Sequence, residues 1–345
     1  VEKKMTQMMQ RWTMNAVSRE SLTLESVPVP QPAAGEVRVK VAAVSLNYRD
    51  KMVIEGSMPI ALKFPFTPAS DMAGVIESVG EGVTRFKPGD RVISNFTPDW
   101  IDGKPAGDAR TLPYKTAGGF YPGMLAEYVV LNENALSTSP VSLNDIEAST
   151  LPCAGLTAWF ALVERGALRS GESVLVQGTG GVSLFALQIA KAQGAEVFVT
   201  SGSDDKLARA KALGADHGIN RLHGDWVERI YDLTGDRGID HIIETVGGTN
   251  MANSLRAVAI HGRISVIGVL EGYDISLPAA PLLLKSPTVQ GIGVGHRRAL
   301  EEFIRATDIN GIKPVIDHCY SFDELPQALE HLDRGPFGKI VLKLS

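Results

Sequence analysis

The stretch SVLVQGTGGVSLFALQIAKAQGAEVFVT, residues 173 to 200, constrains the fold more than any other part of the chain. A short apolar run, SVLVQ, meets glycines at 178, 180 and 181, and a helical pattern then leads through Gly194 into a second apolar run, EVFVT. Two such runs joined by a helix make a right-handed crossover between parallel strands. Glycine at the first turn permits a tight bend and a close backbone approach, and the helix that follows points its free amides at whatever sits there. A phosphate anion fits that end of a helix, and a dinucleotide pyrophosphate fits a strand, glycine turn and helix in this order. Ser183 stands where a third glycine often falls, and is small enough to keep helix and sheet close.

The same rhythm continues. DKLARAKALG (205 to 214) reads as a helix, and DHIIET (240 to 245), GRISVIG (262 to 268) and TVQGIGVG (288 to 295) read as further strands, which predicts a doubly wound parallel sheet. Before residue 150 the pattern differs. GEVRVKVAAVSLN (35 to 47) alternates with period two, and DMAGVIESVGEGVTRFKPGDRVI (71 to 93) gives two strands broken at Pro88-Gly89-Asp90. Residues 94 to 124, rich in Gly, Pro and Asp, read as a long surface loop whose aromatics either line an entrance or pin the loop. The closing GKIVLKL (338 to 344) is again strand-like, so the chain is expected to return to its first domain. The expected division is 1–144 completed by 297–345, and 145–296.

A chain of 345 residues supports two cores, and its 44% hydrophobic and 21% charged content is that of an ordinary globular protein. The net charge of -5 with no basic run argues against nucleic acid or an anionic membrane surface as partner. No segment approaches the roughly 18 apolar residues of a membrane span, and the opening VEKKMTQMMQRWTM lacks a signal-like apolar stretch, so a cytoplasmic enzyme with a small-molecule substrate is expected. The two cysteines, Cys153 and Cys319, make no disulfide framework.

A β-rich domain carrying VSLNYRD and FTPASDMAGVIESVGEGVTRFKPGDRV precedes the nucleotide motif, and LPCAGLTAWFAL, ALGADHGIN, DHIIETVGG and GKIVLKL follow in order. From about Val37 to Lys343 the chain resembles the medium-chain dehydrogenase/reductase superfamily, in its zinc-independent quinone oxidoreductase-like and zinc-type alcohol dehydrogenase-like branch. The resemblance implies an α/β fold: a GroES-like catalytic domain, a Rossmann domain with a doubly wound parallel sheet, a substrate cleft between them, and a homodimer or homotetramer. It places Pro278, Pro281 and the PLLLKS run in a loop or strand at a subunit contact.

Zinc-dependent members resemble this chain but carry ligands at positions matching Asn47, Ser70 and Cys153. Only the cysteine has a ligand side chain here, whereas a catalytic zinc needs three protein ligands. The first histidine is His217, the 94 to 124 loop has no cysteine, and the neighbours His318 and Cys319 point to opposite faces of an extended segment. No zinc is therefore expected, and Cys153 is expected to pack as a small hydrophobe, with a redox-sensitive thiol as the other reading.

An NAD enzyme carries an acidic residue at the end of the second strand, where this chain has Ser201. Ser201 and Ser203 can donate hydrogen bonds to a 2′-phosphate, and Lys206 and Arg221 can supply charge, although Asp204 and Asp205 lie close by. NADP is expected, with NAD possible. The resemblance adds Thr157, the turn of Gly178, Thr179, Gly180, Gly181 and Val182, then Asn220, Val246, Gly268, Val269, Gly293, Val294 and Lys339 as cofactor-binding residues. Lys339 reads equally as a surface lysine on a terminal strand.

Hydride transfer without a Lewis acid suits an already conjugated acceptor, a quinone or enone, whose oxygen then needs only hydrogen-bond donors and a proton. The candidates are Asn47, Tyr48 and Asp50; Arg49 and Asp50 read alternatively as a pair holding the turn, and Tyr48 as an aromatic packing on its strand. Asp71 is expected to order its loop. Met58 lies where certain enoyl-thioester reductases have a tyrosine. An NADP-linked alcohol or aldehyde dehydrogenase is the second reading, and a nucleotide-binding scaffold or redox sensor with little turnover the third.

Overall fold

The computed structural model describes residues 7–58, 60–111 and 113–344, so residues 1 to 6 of the charged opening lie outside the described residues. Two compact units emerge: 1–153 with 295–345, and 154–294, so the first unit runs past the expected change at residue 145.

In the first unit β1 (Met8–Met14) pairs antiparallel with β2 (Leu22–Pro28). The alternating valines of residues 36 to 46 form β3 (Glu36–Leu46), with Val37, Val39 and Val41 turned into the core. There follow α1 (Tyr48–Ile54), β4 (Asp71–Val79), β5 (Arg91–Ser94), β6 (Tyr128–Asn132), β7 (Leu136–Thr138) and α2 (Asp145–Ala148). Among the described residues no helix or strand lies between β5 and β6, as the loop reading expected. The loop is only partly at the surface, however: Phe96 and Met124 are buried, because the segment folds over an apolar core that also holds Leu46, Val53 and Met72.

π-helical turns at Leu151–Gly155, across the change of unit, and at Phe160–Glu164 flank α3 (Leu156–Trp159). Then come β8 (Ser173–Gln177), α4 (Gly181–Ala192), β9 (Glu196–Ser201), α5 (Asp204–Ala212), β10 (His217–Asn220), α6 (Trp226–Thr234), β11 (Ile239–Glu244), α7 (Asn250–Ala257), β12 (Val258–Val266), α8 (Ala279–Lys285) and β13 (Thr288–Gly291). The six strands lie parallel in the order β10-β9-β8-β11-β12-β13. That is the Rossmann arrangement, in which the strand order reverses beside β8 and opens a crevice at the strand ends. The PLLLKS run is a helix, α8, rather than a loop or strand; Pro278 sits at its N-cap, where a missing amide costs nothing.

The chain returns to the first unit through α9 (Arg297–Asn310), β14 (Ile316–Ser321), α10 (Leu325–Asp333) and β15 (Lys339–Lys343). β15 enters the seven-stranded sheet between β14 and β3, and its antiparallel register pairs Ile340 with Leu46. One residue further back, Lys339 faces Asn47. The entry depends on Gly338, whose φ is +95° and whose added Cβ would lie 2.3 Å from the Val315 carbonyl oxygen.

Gly338→Ala therefore combines a left-handed backbone with overlap against a rigid carbonyl, and should destabilise the protein by roughly 2–4 kcal/mol. Gly82→Ala is the control: its φ is +78° but nothing lies within 4 Å, so only the backbone cost applies. Denaturant titration compares the two, and equal losses would refute the steric account.

Candidate active site

In the second unit the cradle forms as the motif requires. Gly178, at φ +75°, donates its N–H to the Thr200 carbonyl (2.8 Å), and a Cβ on Gly178 or Gly180 would meet nothing within 4 Å. Space therefore lies open over the turn. Gly180 caps α4 with no side-chain hydrogen bond, which leaves the first amides of a twelve-residue helix free for an anion. Ser183 is buried and donates to the Gln177 carbonyl (2.8 Å), tying helix to strand as its size allowed.

The end of β9 brings four predicted residues together. Ser201 Oγ accepts from the Ser203 N–H (3.2 Å), and Ser203 caps α5 by accepting from the Lys206 N–H (3.3 Å). The Arg221 guanidinium lies 3.5 Å from where a Cβ on Gly202 would stand. Asp204 is engaged by the Asn220 amide (2.8 Å), so Asn220 braces this loop.

Glu244, which pattern reading passed over, is fully buried at the end of β11. Its Oε1 accepts from the Val246 (2.8 Å) and Gly247 (2.9 Å) amides, and Oε2 from Asn250 (3.0 Å) and from Ser254. This fixes the backbone of Val246. Gly268 lies against it, since a Cβ there would fall 1.7 Å from the Thr245 carbonyl oxygen, and Val269 follows half-buried. After the exposed Gly293, Val294 has φ +69°, a strained conformation for a β-branched residue. Thr157 is buried on α3, which packs on α4.

The first unit holds a buried polar cluster. Asn47 caps α1, and Asp50 reaches back to accept the Asn47 N–H (2.8 Å). Arg49 pairs with Asp50 (3.3 Å), as one reading expected, and its guanidinium also donates to the Ala117 carbonyl (2.8 Å) and to Thr116 Oγ1 (2.8 Å), pinning the long loop. Ser70 follows Ala69, whose φ of +70° is unusual for a non-glycine residue. Its hydroxyl accepts from Asn47 Nδ2 at 3.4 Å and donates to Asp71 Oδ1 (2.6 Å), while Asp71 Oδ2 accepts the Cys153 N–H (2.9 Å). Asp71 thus ties residue 153 to β4.

Lys339 completes the cluster. Not a surface lysine, it is 4% exposed in the first unit and donates to the Leu46 carbonyl and to Asn47 Oδ1. Burial lowers its pKa, while the charges of Asp71 and Asp50 support the ammonium. Burial raises Asp50 against the pull of Arg49, raises Asp71 to about 6, and lifts the Cys153 thiol well above its ordinary value.

Tyr48 stands on the first turn of α1 rather than on a strand, 43% exposed, with the Lys51 ammonium 5.5 Å over its ring. Tyr114, invisible to pattern reading in an irregular loop, is half-buried near Arg49, Asp50 and Cys153, and burial pushes its phenol up to about 12. The loop aromatics act as pins: Trp100 donates to the Gly103 carbonyl (3.0 Å) and sets its ring edge-on to His296 (5.3 Å).

Among the described residues no group of three or more His, Cys, Asp and Glu is placed to hold a metal ion. The zinc expected of metal-dependent relatives does not fit this donor set: Asn47 and Ser70 offer an amide and a hydroxyl, the thiol is held protonated, and the Lys339 ammonium lies among them. No described helix is long and apolar enough to cross a membrane.

Residues 33–141 match the alcohol dehydrogenase GroES-like domain model, and 181–309 the zinc-binding dehydrogenase model. A zinc-type alcohol dehydrogenase-like protein of Schizosaccharomyces pombe is 40% identical over 94% of this chain and 96% of its own. The quinone oxidoreductase of Rattus norvegicus is 32% identical over 94% of both chains. A crystal structure described as a candidate alcohol dehydrogenase from Sinorhizobium meliloti 1021 superposes with a TM-score of 0.96 at 62% identity, covering 99% of this chain and 100% of that one.

The chain belongs to the medium-chain dehydrogenase/reductase superfamily. It is an NAD(P)-dependent oxidoreductase with a GroES-like domain and a Rossmann domain.

The raised pKa of Asp71 sets a pH dependence. Its folded value, about 6, exceeds that of the unfolded chain, so the folded state binds this proton more tightly; the stability so gained is present at low pH and lost as pH rises through the folded value. Relative to Asp71→Asn, the wild type should lose roughly 3 kcal/mol between about pH 4 and pH 6. Urea titrations across that range measure it, and parallel curves for the two proteins would contradict the assignment.

Proposed function

We propose that the chain is a zinc-independent, NADPH-dependent reductase of conjugated carbonyl compounds, quinones or enones. The observation that carries this reading is the donor set of Asn47, Ser70 and a protonated Cys153 around the Lys339 ammonium, which supplies hydrogen bonds and positive charge but no ligand shell. Such a face polarises a carbonyl weakly, and an acceptor whose conjugation already spreads negative charge onto oxygen suits it.

The turn from Gly178 through Thr179, Gly180 and Gly181 to Val182 would hold the cofactor pyrophosphate. Ser201, Ser203, Arg221 and Lys206 would receive the 2′-phosphate, and no carboxylate at residue 201 repels it. Thr157, Asn220, Val246, Gly268, Val269, Gly293 and Val294 would shape or brace the rest of the cofactor site. When bound, the reduced nicotinamide supplies a hydride to the far carbon of the conjugated system. Asn47 and Tyr48 present donors to the substrate oxygen as it gains charge, and the exposed Tyr48 hydroxyl passes a proton and regains it from solvent. Asp50 holds Asn47 at the head of α1 and takes no proton in this scheme.

A second reading, an NADP-linked alcohol or aldehyde dehydrogenase, rests on Asp71. A carboxylate with a pKa of about 6, joined to Ser70 by a 2.6 Å hydrogen bond, can draw the proton from an alcohol through that hydroxyl.

The assembly proposed is a homodimer or higher oligomer in which a second copy covers the sheet edge at β13 and the exposed Leu283 and Leu284 of α8. A cytoplasmic location is proposed on composition alone.

Cofactor oxidation measured with a quinone, a conjugated enone and a primary alcohol separates the readings. The first predicts turnover with the quinone or enone and sinks if only the alcohol reacts. Ser201→Asp should weaken NADPH binding at least roughly tenfold, about 1.4 kcal/mol, and leave NADH nearly unaffected. An equal loss for both cofactors would remove Ser201 from the 2′-phosphate site.

A further inference from the structure

Lys339 is a charged group of the buried cluster that grips the side chain of Asn47 directly. Its ammonium has donors and no acceptor, so every neighbour facing it must turn an oxygen towards it. Here those oxygens are the Leu46 carbonyl and Asn47 Oδ1. The Asn47 amide is thereby denied a flip, and its nitrogen must point away from the lysine, where one N–H meets Ser70 Oγ at 3.4 Å. From there donation runs one way only: Asn47 to Ser70, Ser70 to Asp71, with the Cys153 amide closing on the other carboxylate oxygen.

Keeping a lysine 4% exposed is costly unless nearby charge compensates, and a methionine of similar length would pack there without that penalty. The compensation comes from Asp50 and Asp71, carboxylates that are themselves fully buried. Arg49 completes a group of two cations and two anions. The polarity of the group is therefore built in, and its one adjustable member is the amide that the lysine grips.

We propose that Lys339 is a positioning residue of the reaction, acting through Asn47: it locks the amide with oxygen inward and nitrogen as the donor available to the substrate oxygen. It is not a ligand of the cofactor phosphates. This rests on the reading that Asn47 serves the substrate oxygen.

The test is a double-mutant cycle of Lys339→Met and Asn47→Ala. Turnover is followed with the acceptor that the wild type reduces, and NADPH affinity by fluorescence titration of the same proteins. Lys339→Met should lower kcat roughly ten- to a hundredfold while the NADPH dissociation constant stays within about threefold. In the Asn47→Ala background the same substitution should change kcat by less than about threefold, because the group it acts through is gone. Lys339→Arg, which keeps the charge, should restore part of the rate. Multiplicative losses in the double mutant overturn the proposal, as does weakened NADPH binding with kcat preserved. If Lys339→Met does not fold, Lys339→Arg and Lys339→Gln carry the cycle and the same non-additivity is required. A wild type that turns over only an alcohol refutes the reductase reading alone, and the cycle is then measured on that alcohol. A wild type that turns over neither class refutes both.

Discussion

An ammonium buried beneath the residue that caps α1 is the interaction on which the polar centre of the first unit depends. Lys339 reaches its place because β15 joins β3 in a register that sets it opposite Asn47, and because Gly338 allows the strand to enter beside Val315. Once there, it demands oxygens. The Leu46 carbonyl and the Asn47 amide oxygen accept its hydrogen bonds, and the carboxylates of Asp50 and Asp71 supply the charge that supports it. The chain thus closes its first unit with its C-terminal strand and charges its polar centre with the same residue.

The second unit is organised around backbone. Its sheet order follows from the crossovers, and its opening from glycines at the switch in strand order. What pattern reading does not reveal is the bracing beneath. Glu244 gathers the amides of Val246 and Gly247 with Asn250 and Ser254, so a single buried carboxylate sets the shape of the loop after β11. A rigid scaffold carrying a few shaped loops is the usual way a parallel sheet supports a binding site.

Legibility followed periodicity. Strands β8 and β9, helices α4 and α5 and the closing strand could be read from apolar spacing and glycine stops, and the glycine cradle could be read with them. Asn47 and the Arg49–Asp50 pair were visible as a motif. Residues whose role depends on long-range pairing were not. Lys339 looks like a surface lysine until the register of β15 against β3 is known. Tyr114 sits in an irregular loop that has no period, and Arg49 fixes that loop through carbonyls no pattern anticipates. The PLLLKS run reads as easily as strand as helix, since a short apolar segment lacks the length that separates the two.

The cluster in the first unit sets two cations, Lys339 and Arg49, against the carboxylates of Asp50 and Asp71, and the zinc independence proposed for the chain rests on that donor set. Elemental analysis of the full chain, purified after expression with supplemented zinc and without chelators, tests that claim most directly. The account predicts far less than one zinc per chain and turnover unchanged by a strong chelator. One zinc per chain, lost together with activity on chelation, would contradict it.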